Sequence, residues 1–339
     1  MSADGYVVVV IGAGSEVGRE VAAVLRERSF PIEEWRLYDD PTADDAVSAD
    51  EGSEEIFPLD AITFEHADVV FLCGHGAHAS EWAERAAGEG ALTIDLTQAL
   101  VESGDVPLVV PEVNPEVLAE GLERGLLACP IASATALAVV LKPIDAAAEL
   151  KRVVVTALEP VSNGGREGID ALVRQTRDLL SGVSPDIEVF PHRIAFNLIP
   201  QVGDFVSGGR TRGEWLTESQ ARRVLDLPDL PITVTSLYVP IFFGQACIVN
   251  VETEHPLDAV AARALLREAP GVLLVDEGAA DGYLTPGDVI GSEATHVGRV
   301  RDDPTVPYGL ALWITIDGLR KGGAVNAVQV AERALGARD

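Results

Sequence analysis

Residues 6–11 form an unbroken apolar run, Tyr-Val-Val-Val-Val-Ile, and a glycine follows at once. A short β-branched run without polar alternation predicts a strand buried on both faces. Beyond Gly12 the period changes, and Val17, Val21, Ala22, Val24 and Leu25 line one side of a helix. Residues 35–38, 68–73, 91–95 and 107–110 are further strand candidates, with helical segments such as residues 80–87 between them. Strands alternating with helices at this spacing predict a doubly wound parallel sheet of the Rossmann type. Another apolar segment, residues 125–128, turns at Pro130 into a helix rich in Ser and Ala that is expected to close on Lys142-Pro143.

From Lys151 the texture differs. Residues 152–157, 232–237, 246–254 and 311–316 read as strands, several with alternating character, and residues 167–180 and 218–225 as helices. This predicts a second, α+β domain with a mixed or antiparallel sheet. An amphipathic helix over residues 322–335 is expected to return to the first domain. The expected boundaries are residues 1–131 completed by 318–339 for the first domain, and residues 132–317 for the second. Residues 39–55 carry eight carboxylates and little apolar content, the composition of a solvated loop.

Composition narrows the function. The chain of 339 residues is 47% hydrophobic, enough for two cores. No apolar run reaches the ~18 residues of a membrane span, and the opening Met-Ser-Ala-Asp-Gly-Tyr lacks a basic leader. A cytoplasmic protein is expected. Cys73, Cys129 and Cys247 are too few and too scattered for a disulfide framework or a metal site. A formal net charge of −29 argues against nucleic acid and anionic membranes as partners. The only lysines are Lys142, Lys151 and Lys321. That balance fits a salt-adapted, halophilic cytoplasm and equally an acidic protein from a GC-rich genome.

The turn Gly12-Ala-Gly14-Ser15-Glu-Val17-Gly18, between a strand and a helix, has the form of a dinucleotide site. Its glycines would let backbone approach a pyrophosphate, and the helix start would stabilise the charge. The same turn would also serve close helix–strand packing with no ligand. Asp39, about twenty residues on, is placed to accept from a ribose 2′-hydroxyl. Asp39 and Asp40 would repel a 2′-phosphate, and Arg36 is the only nearby base. NAD is therefore expected over NADP, unless these acids merely begin the acidic loop.

Several motifs resemble the aspartate-semialdehyde dehydrogenases. They are Ala128-Cys-Pro-Ile-Ala-Ser-Ala-Thr leading to Leu141-Lys-Pro143, Asp105-Val-Pro-Leu-Val-Val-Pro-Glu-Val-Asn-Pro115, and Ile194-Ala-Phe-Asn-Leu-Ile-Pro200. Val239-Pro-Ile-Phe-Phe-Gly244 with Val249-Asn250, and Asp317-Gly-Leu-Arg-Lys-Gly-Gly-Ala-Val-Asn-Ala-Val-Gln329, extend the resemblance over nearly the whole chain. It implies a cofactor domain completed by the last helix and a central domain that supplies catalytic residues and a homodimer interface. In that family a Cys thiolate attacks an acyl carbon, NADP exchanges hydride, and a His acts as acid/base.

The chain departs from the family pattern at those positions. Counting back from Leu141-Lys-Pro143, the nucleophile falls on Ala132 and the preceding Asn on Ile131. The acid/base His falls on Gln245 and the substrate-binding Arg on Tyr238. The phosphate-binding Arg falls near Val101, a Glu and a Lys on Gly213 and Leu216, a Gln on Glu159, and a turn glycine on Ser15. The pattern is similar to the Usg-like branch of the family and implies a pseudoenzyme. Alternatives are an active NAD(P)-dependent enzyme on another substrate, and a non-catalytic partner of an active paralogue. Recruited groups in the enzyme reading would be Cys129, His75 or His78, although Cys129 and Cys247 also read as packing residues and the histidines as unspecialised. Arg320 and Lys321 could hold an anion or bond locally.

Overall fold

The computed structural model describes residues 5–40, 55–74, 76–101 and 104–336. The chain divides into two compact units, residues 1–131 with 322–339 and residues 132–321. His75 and most of the acidic segment, residues 41–54, lie outside the described residues.

The first unit holds β1 (Tyr6–Ile11), α1 (Glu16–Glu27), β2 (Ile32–Asp39), β3 (Ile56–Pro58), β4 (Val69–Leu72), α2 (Gly76–Gly88), β5 (Leu92–Asp95), α3 (Leu118–Arg124) and β6 (Leu126–Ala128). Its sheet has the order β3-β2-β1-β4-β5-β6, and every pairing is parallel. Val8, Val9, Val10 and Ile11 are fully buried, as a central strand of a covered parallel sheet requires. The C-terminal helix Asn326–Gly336 completes this unit, and its Ala327, Val328, Val330 and Ala331 join the core formed by β1, α1 and β4.

The expected strand over residues 107–110 is not one. It makes a single bridge, Leu108 to Ala128 beside β6. Two asparagine side chains take the backbone groups a ladder would use. Asn114 Oδ1 accepts from Val110 N–H at 2.9 Å and its Nδ2 donates to Leu108 O at 2.8 Å, while Asn326 Nδ2 donates to Val109 O at 2.9 Å. Pro107 and Pro111 have no N–H to offer.

The second unit holds α4 (Ala132–Ala148), β7 (Leu150–Glu159), α5 (Gly165–Leu180), α6 (Arg212–Leu225), β8 (Ile232–Tyr238), β9 (Gln245–Thr253), α7 (Ala259–Arg267), β10 (Val272–Leu274), β11 (Thr295–Asp303) and β12 (Gly309–Ile316). Its sheet, in the order β10-β11-β12-β9-β7-β8, is mixed, parallel at its two edges and antiparallel within. β10, β11 and α7 were not among the elements expected from the sequence.

Helix α4 does not close at Lys142-Pro143 but runs through the proline. An interior proline costs about 3 kcal/mol in an exposed helix. Here Leu137, Leu141 and Ile144 are fully buried against α6 and the sheet, so packing rather than propensity carries the helix onward. Asp145 closes its last turn, its backbone carbonyl accepting from Glu149 N–H and its side chain from Leu150 N–H just beyond the helix end at Ala148. Helix α6 starts six residues before the expected 218. Thr211 and Glu214 form a reciprocal capping box at its head. Glu214 and Glu218 then turn inward and accept from Ser236 and Val234 N–H on the edge strand β8. The expected terminal helix is likewise irregular at its start, where residues 320–325 form a π turn.

Candidate functional site

The glycine turn of the first unit is fixed by backbone crowding. Gly12 has φ +82°, and a Cβ there would stand 2.6 Å from Gly74 N. A Cβ on Gly18 would overlap the Gly12 carbonyl oxygen. Ser15 caps α1, its Oγ accepting from Gly18 N–H at 3.0 Å and donating to Gly12 O at 2.6 Å. Gly14 N–H donates to Asp39 Oδ2 at 2.6 Å, and Asp39 Oδ1 accepts from Asp40 N–H at 2.7 Å. The structure thus brings Gly12, Gly14, Ser15, half-buried Val17, Gly18 and Asp39 together at the head of α1. A helix head at the carboxyl edge of a parallel sheet fits a nucleotide phosphate. Arg36 is engaged elsewhere, on Glu34 at 2.7 Å and on Glu65 O at 2.6 Å.

The other candidates divide sharply. Cys73, Cys129 and Cys247 are all buried. Burial pushes the Cys73 thiol well up, and nearby Cys129, Asp95 and Asp39 add to it. Cys129 N–H donates to Asp95 O and its carbonyl accepts from Gln98. His78 is not in a loop as expected but in the first turn of α2, exposed, with its ring 5.4 Å from that of Trp82. Arg320 pairs with Glu293 at 3.2 Å, and Lys321 is fully buried.

In the second unit, Ala132 opens α4 and Gln245 opens β9. Gly318, in the turn after β12, lies between them. A Cβ added at Gly318 would sit 3.3 Å from Ala132 Cβ and 3.2 Å from Gln245 Oε1. Gln245 Nε2 donates to Glu159 Oε1 at 2.7 Å, at the end of the neighbouring strand β7. Asn163, in the turn Val161–Gly164, donates from Nδ2 to Glu159 Oε2 at 2.6 Å. Burial pushes the Glu159 carboxyl up to about 7, against the pull of these two hydrogen bonds. Cys247 shares the face of Gln245; burial and then Glu159 push its thiol far up, so it is no thiolate. Tyr238 packs edge-on against Phe190 at 4.9 Å, and its hydroxyl is likewise pushed up by burial and by Glu159.

The neighbouring hydroxyl is no substitute nucleophile. Thr217 Oγ1 donates to Gly213 O at 2.8 Å, so Ser133 Oγ, 2.8 Å from that atom, is the donor to it. Gly213 is packed against Val202, and Leu216 and Val101 are buried. This centre can therefore hold a proton and exchange hydrogen bonds, but Ala132 offers no atom for covalent acyl transfer. Sequence reasoning missed Asn163, in a turn with no motif of its own, and gave Gly318 no role although it lies in the Asp317–Gln329 motif. Among the described residues no group of three His, Cys, Asp or Glu could hold a metal ion, and no helix is long and apolar enough to cross a membrane.

Comparison with known proteins gives one consistent family. Residues 141–321 match the semialdehyde dehydrogenase dimerisation domain and residues 7–121 the semialdehyde dehydrogenase NAD binding domain. The aspartate-semialdehyde dehydrogenase of Aquifex aeolicus is 36% identical over 97% of each chain. The USG-1 protein homolog of Azotobacter vinelandii is 36% identical over 96% of each chain. Among solved structures, aspartate semialdehyde dehydrogenase II of Vibrio cholerae, complexed with ASA, superposes with a TM-score of 0.93 at 34% identity, covering 98% of this chain and 99% of that one.

Proposed function

The chain belongs to the aspartate-semialdehyde dehydrogenase family, and from that premise we propose that it is a member without the family's NADP-dependent reductive dephosphorylation of aspartyl phosphate. The observation that carries this reading is the Ala132 methyl at the head of α4, with Gln245 rather than a histidine beside it. Removing a nucleophile alone costs about a millionfold in rate, roughly 8 kcal/mol of barrier. The three thiols are buried and Ser133 is committed to Thr217, which supports no rescue by these groups.

In this reading the two-domain scaffold is retained for binding and assembly. Residues 1–131 with 318–339 would form the nucleotide domain and residues 132–317 the dimerisation domain of a cytoplasmic homodimer. Phe196, Leu198, Phe205 and Ile248, all more than 40% exposed on the second unit, support such an interface. Gly12, Gly14, Ser15, Val17, Gly18 and Asp39 would hold NAD in preference to NADP, because Asp39 bonds to the glycine turn and Arg36 is occupied by Glu34. The role would then be regulatory or structural, including pairing with an active paralogue, and the surplus of carboxylates would suit a salt-rich cytoplasm.

The test is phosphate-dependent reduction of NAD and NADP with aspartate semialdehyde, followed by the absorbance of the reduced nicotinamide. No rate above the protein-free control is expected; turnover well above it overturns the reading. One observation favours a second reading, an active enzyme on another substrate: Glu159 is buried against Gln245, and burial pushes its carboxyl up to about 7. Reduction with a different aldehyde, abolished by Glu159→Gln, would select it.

A further inference from the structure

Among the described strands, β8 stands at one end of the second sheet and pairs only with β7. Its sequence, Ile232-Thr-Val-Thr-Ser-Leu-Tyr238, is rich in β-branched residues and has no charge, proline or glycine. A segment of this kind with an open edge is a template for strand addition by another chain. The edge is not open. Ile232, Val234, Ser236 and Tyr238, whose backbone faces the free side, each find a partner outside the sheet. Arg222 donates from Nη2 to Ile232 O at 2.9 Å and from Nε to Leu230 O at 2.8 Å. Glu218 Oε1 accepts from Val234 N–H and Glu214 Oε1 from Ser236 N–H, both at 3.2 Å. At the far end Tyr238 exchanges two backbone hydrogen bonds with Ile199.

Glu214, Glu218 and Arg222 follow one another at every fourth position, on one face of α6. Four helical residues advance about 6.0 Å and two strand residues about 6.6 Å, so the helix row keeps step with alternate strand residues. Helix and strand run in opposite directions, since Glu214, Glu218 and Arg222 meet Ser236, Val234 and Ile232 in turn. The chemistry is matched as well. Carboxylates stand where the strand offers N–H, and the guanidinium stands where it offers carbonyl oxygens. Both acids are fixed from behind, Glu214 Oε2 by Thr211 N–H at 2.7 Å and Glu218 Oε2 by Arg210 at 3.0 Å. Glu214 and Glu218 are only 9% and 4% exposed, a burial that is costly without such partners. We propose that the Glu214–Glu218–Arg222 row stands in for a strand and closes β8 against strand addition by a second copy of this chain. The occupant it excludes is β8 of that copy, because an uncharged β-branched strand pairs well with itself and nothing along it repels its own kind. The device does not depend on whether acyl chemistry has been lost.

The experiment pairs hydrogen exchange with sedimentation velocity on the full-length chain. In Glu218→Ala the Val234 amide should exchange about tenfold faster, the loss of one charge-assisted hydrogen bond. The Val249 amide, on the interior strand β9, should change little. Glu218→Gln keeps an acceptor in place and should leave Val234 slow. The double variant Glu218→Ala/Arg222→Met should form assemblies larger than the unmutated protein that grow with concentration. Arg222→Met alone should do so more weakly, and it carries the same readout if the double variant does not fold. Adding Thr235→Lys, a charge on the exposed middle of β8, should return the double variant to the size of Thr235→Lys alone. Val234 and Val249 amides that speed up in step, or a size unaffected by baring the edge, overturn the proposal. Assembly that persists with Thr235→Lys overturns it too, since a different surface would then be paired.

Discussion

The glycine turn of residues 12–18 and the close approach of Gly318 to Ala132 both lie at the head of a helix, α1 in the first unit and α4 in the second. In the turn, polar atoms are paired among themselves: Ser15 with Gly12 and Gly18, Asp39 with Gly14 and Asp40. Gly12 and Gly18 are demanded by backbone atoms that would collide with a side chain. Between Ala132 and Gly318 the crowding is milder and side chains make it: the Ala132 methyl and Gln245 Oε1 would stand 3.3 and 3.2 Å from a Cβ on Gly318, with buried Glu159 behind the amide. A site held by backbone crowding cannot change without cost to the fold. A site whose chemistry sits on side-chain tips can be exchanged while the fold stands.

The comparison is most exposed to a pair of glycine substitutions. Gly18→Ala drives a methyl into the Gly12 carbonyl and should cost about 3–5 kcal/mol. Gly318→Ala meets only Ala132 Cβ and Gln245 Oε1, at 3.3 and 3.2 Å, and should cost about 1 kcal/mol. Denaturant unfolding of the two variants measures the difference. Equal losses would break the distinction between the regions.

The next effect depends on pH. Glu159 has its folded value raised to about 7 from an ordinary 4.5. Between those values the folded chain keeps a proton that the unfolded chain releases, so this group's contribution to stability falls as pH rises through the window. Above it the full penalty is on the order of 3 kcal/mol. Glu159→Gln removes the penalty. The variant should therefore gain on the unmutated protein between about pH 5 and about pH 8, the difference cancelling the other acids. If unfolding free energies at the two pH values change in parallel, Glu159 does not titrate as its burial implies.

What could be read from the sequence follows the same division. The ends of β1 and the apolar stripe of α1 were legible because local pattern and burial agree there, Val8 to Ile11 being fully enclosed. Residues 107–110 read as a strand because apolar pattern cannot register that Asn326, over two hundred residues away, takes the Val109 carbonyl. Helix α6 was read six residues short at its start because Glu214 and Glu218 point inward to β8, against the usual sense of charged positions. Its Thr211-x-x-Glu214 box was there to be read. Motif resemblance set Ala132 and Gln245 side by side as substituted positions. Their company, Asn163 and Gly318, comes from turns after β7 and β12 that only the tertiary fold brings to the same place.

The smallest effect tests whether the glycine turn depends on backbone alone. Ser15 caps the helix with its side chain, and resemblance to the family places a glycine at that position. Its Oγ closes the head of α1 through Gly18 N–H and Gly12 O. Loss of such a cap typically costs about 1 kcal/mol in a change to alanine and a few tenths in a change to glycine, which solvates the freed amide more readily. Ser15→Ala should therefore lose about 1 kcal/mol in denaturant unfolding and Ser15→Gly less, with Gly14 N–H still held by Asp39 in both. If Ser15→Gly instead cost as much as Gly18→Ala, the turn would rest on a side-chain tip as the second-unit contact at Gly318 does. The two regions would then differ in which residues they use, not in how they are held.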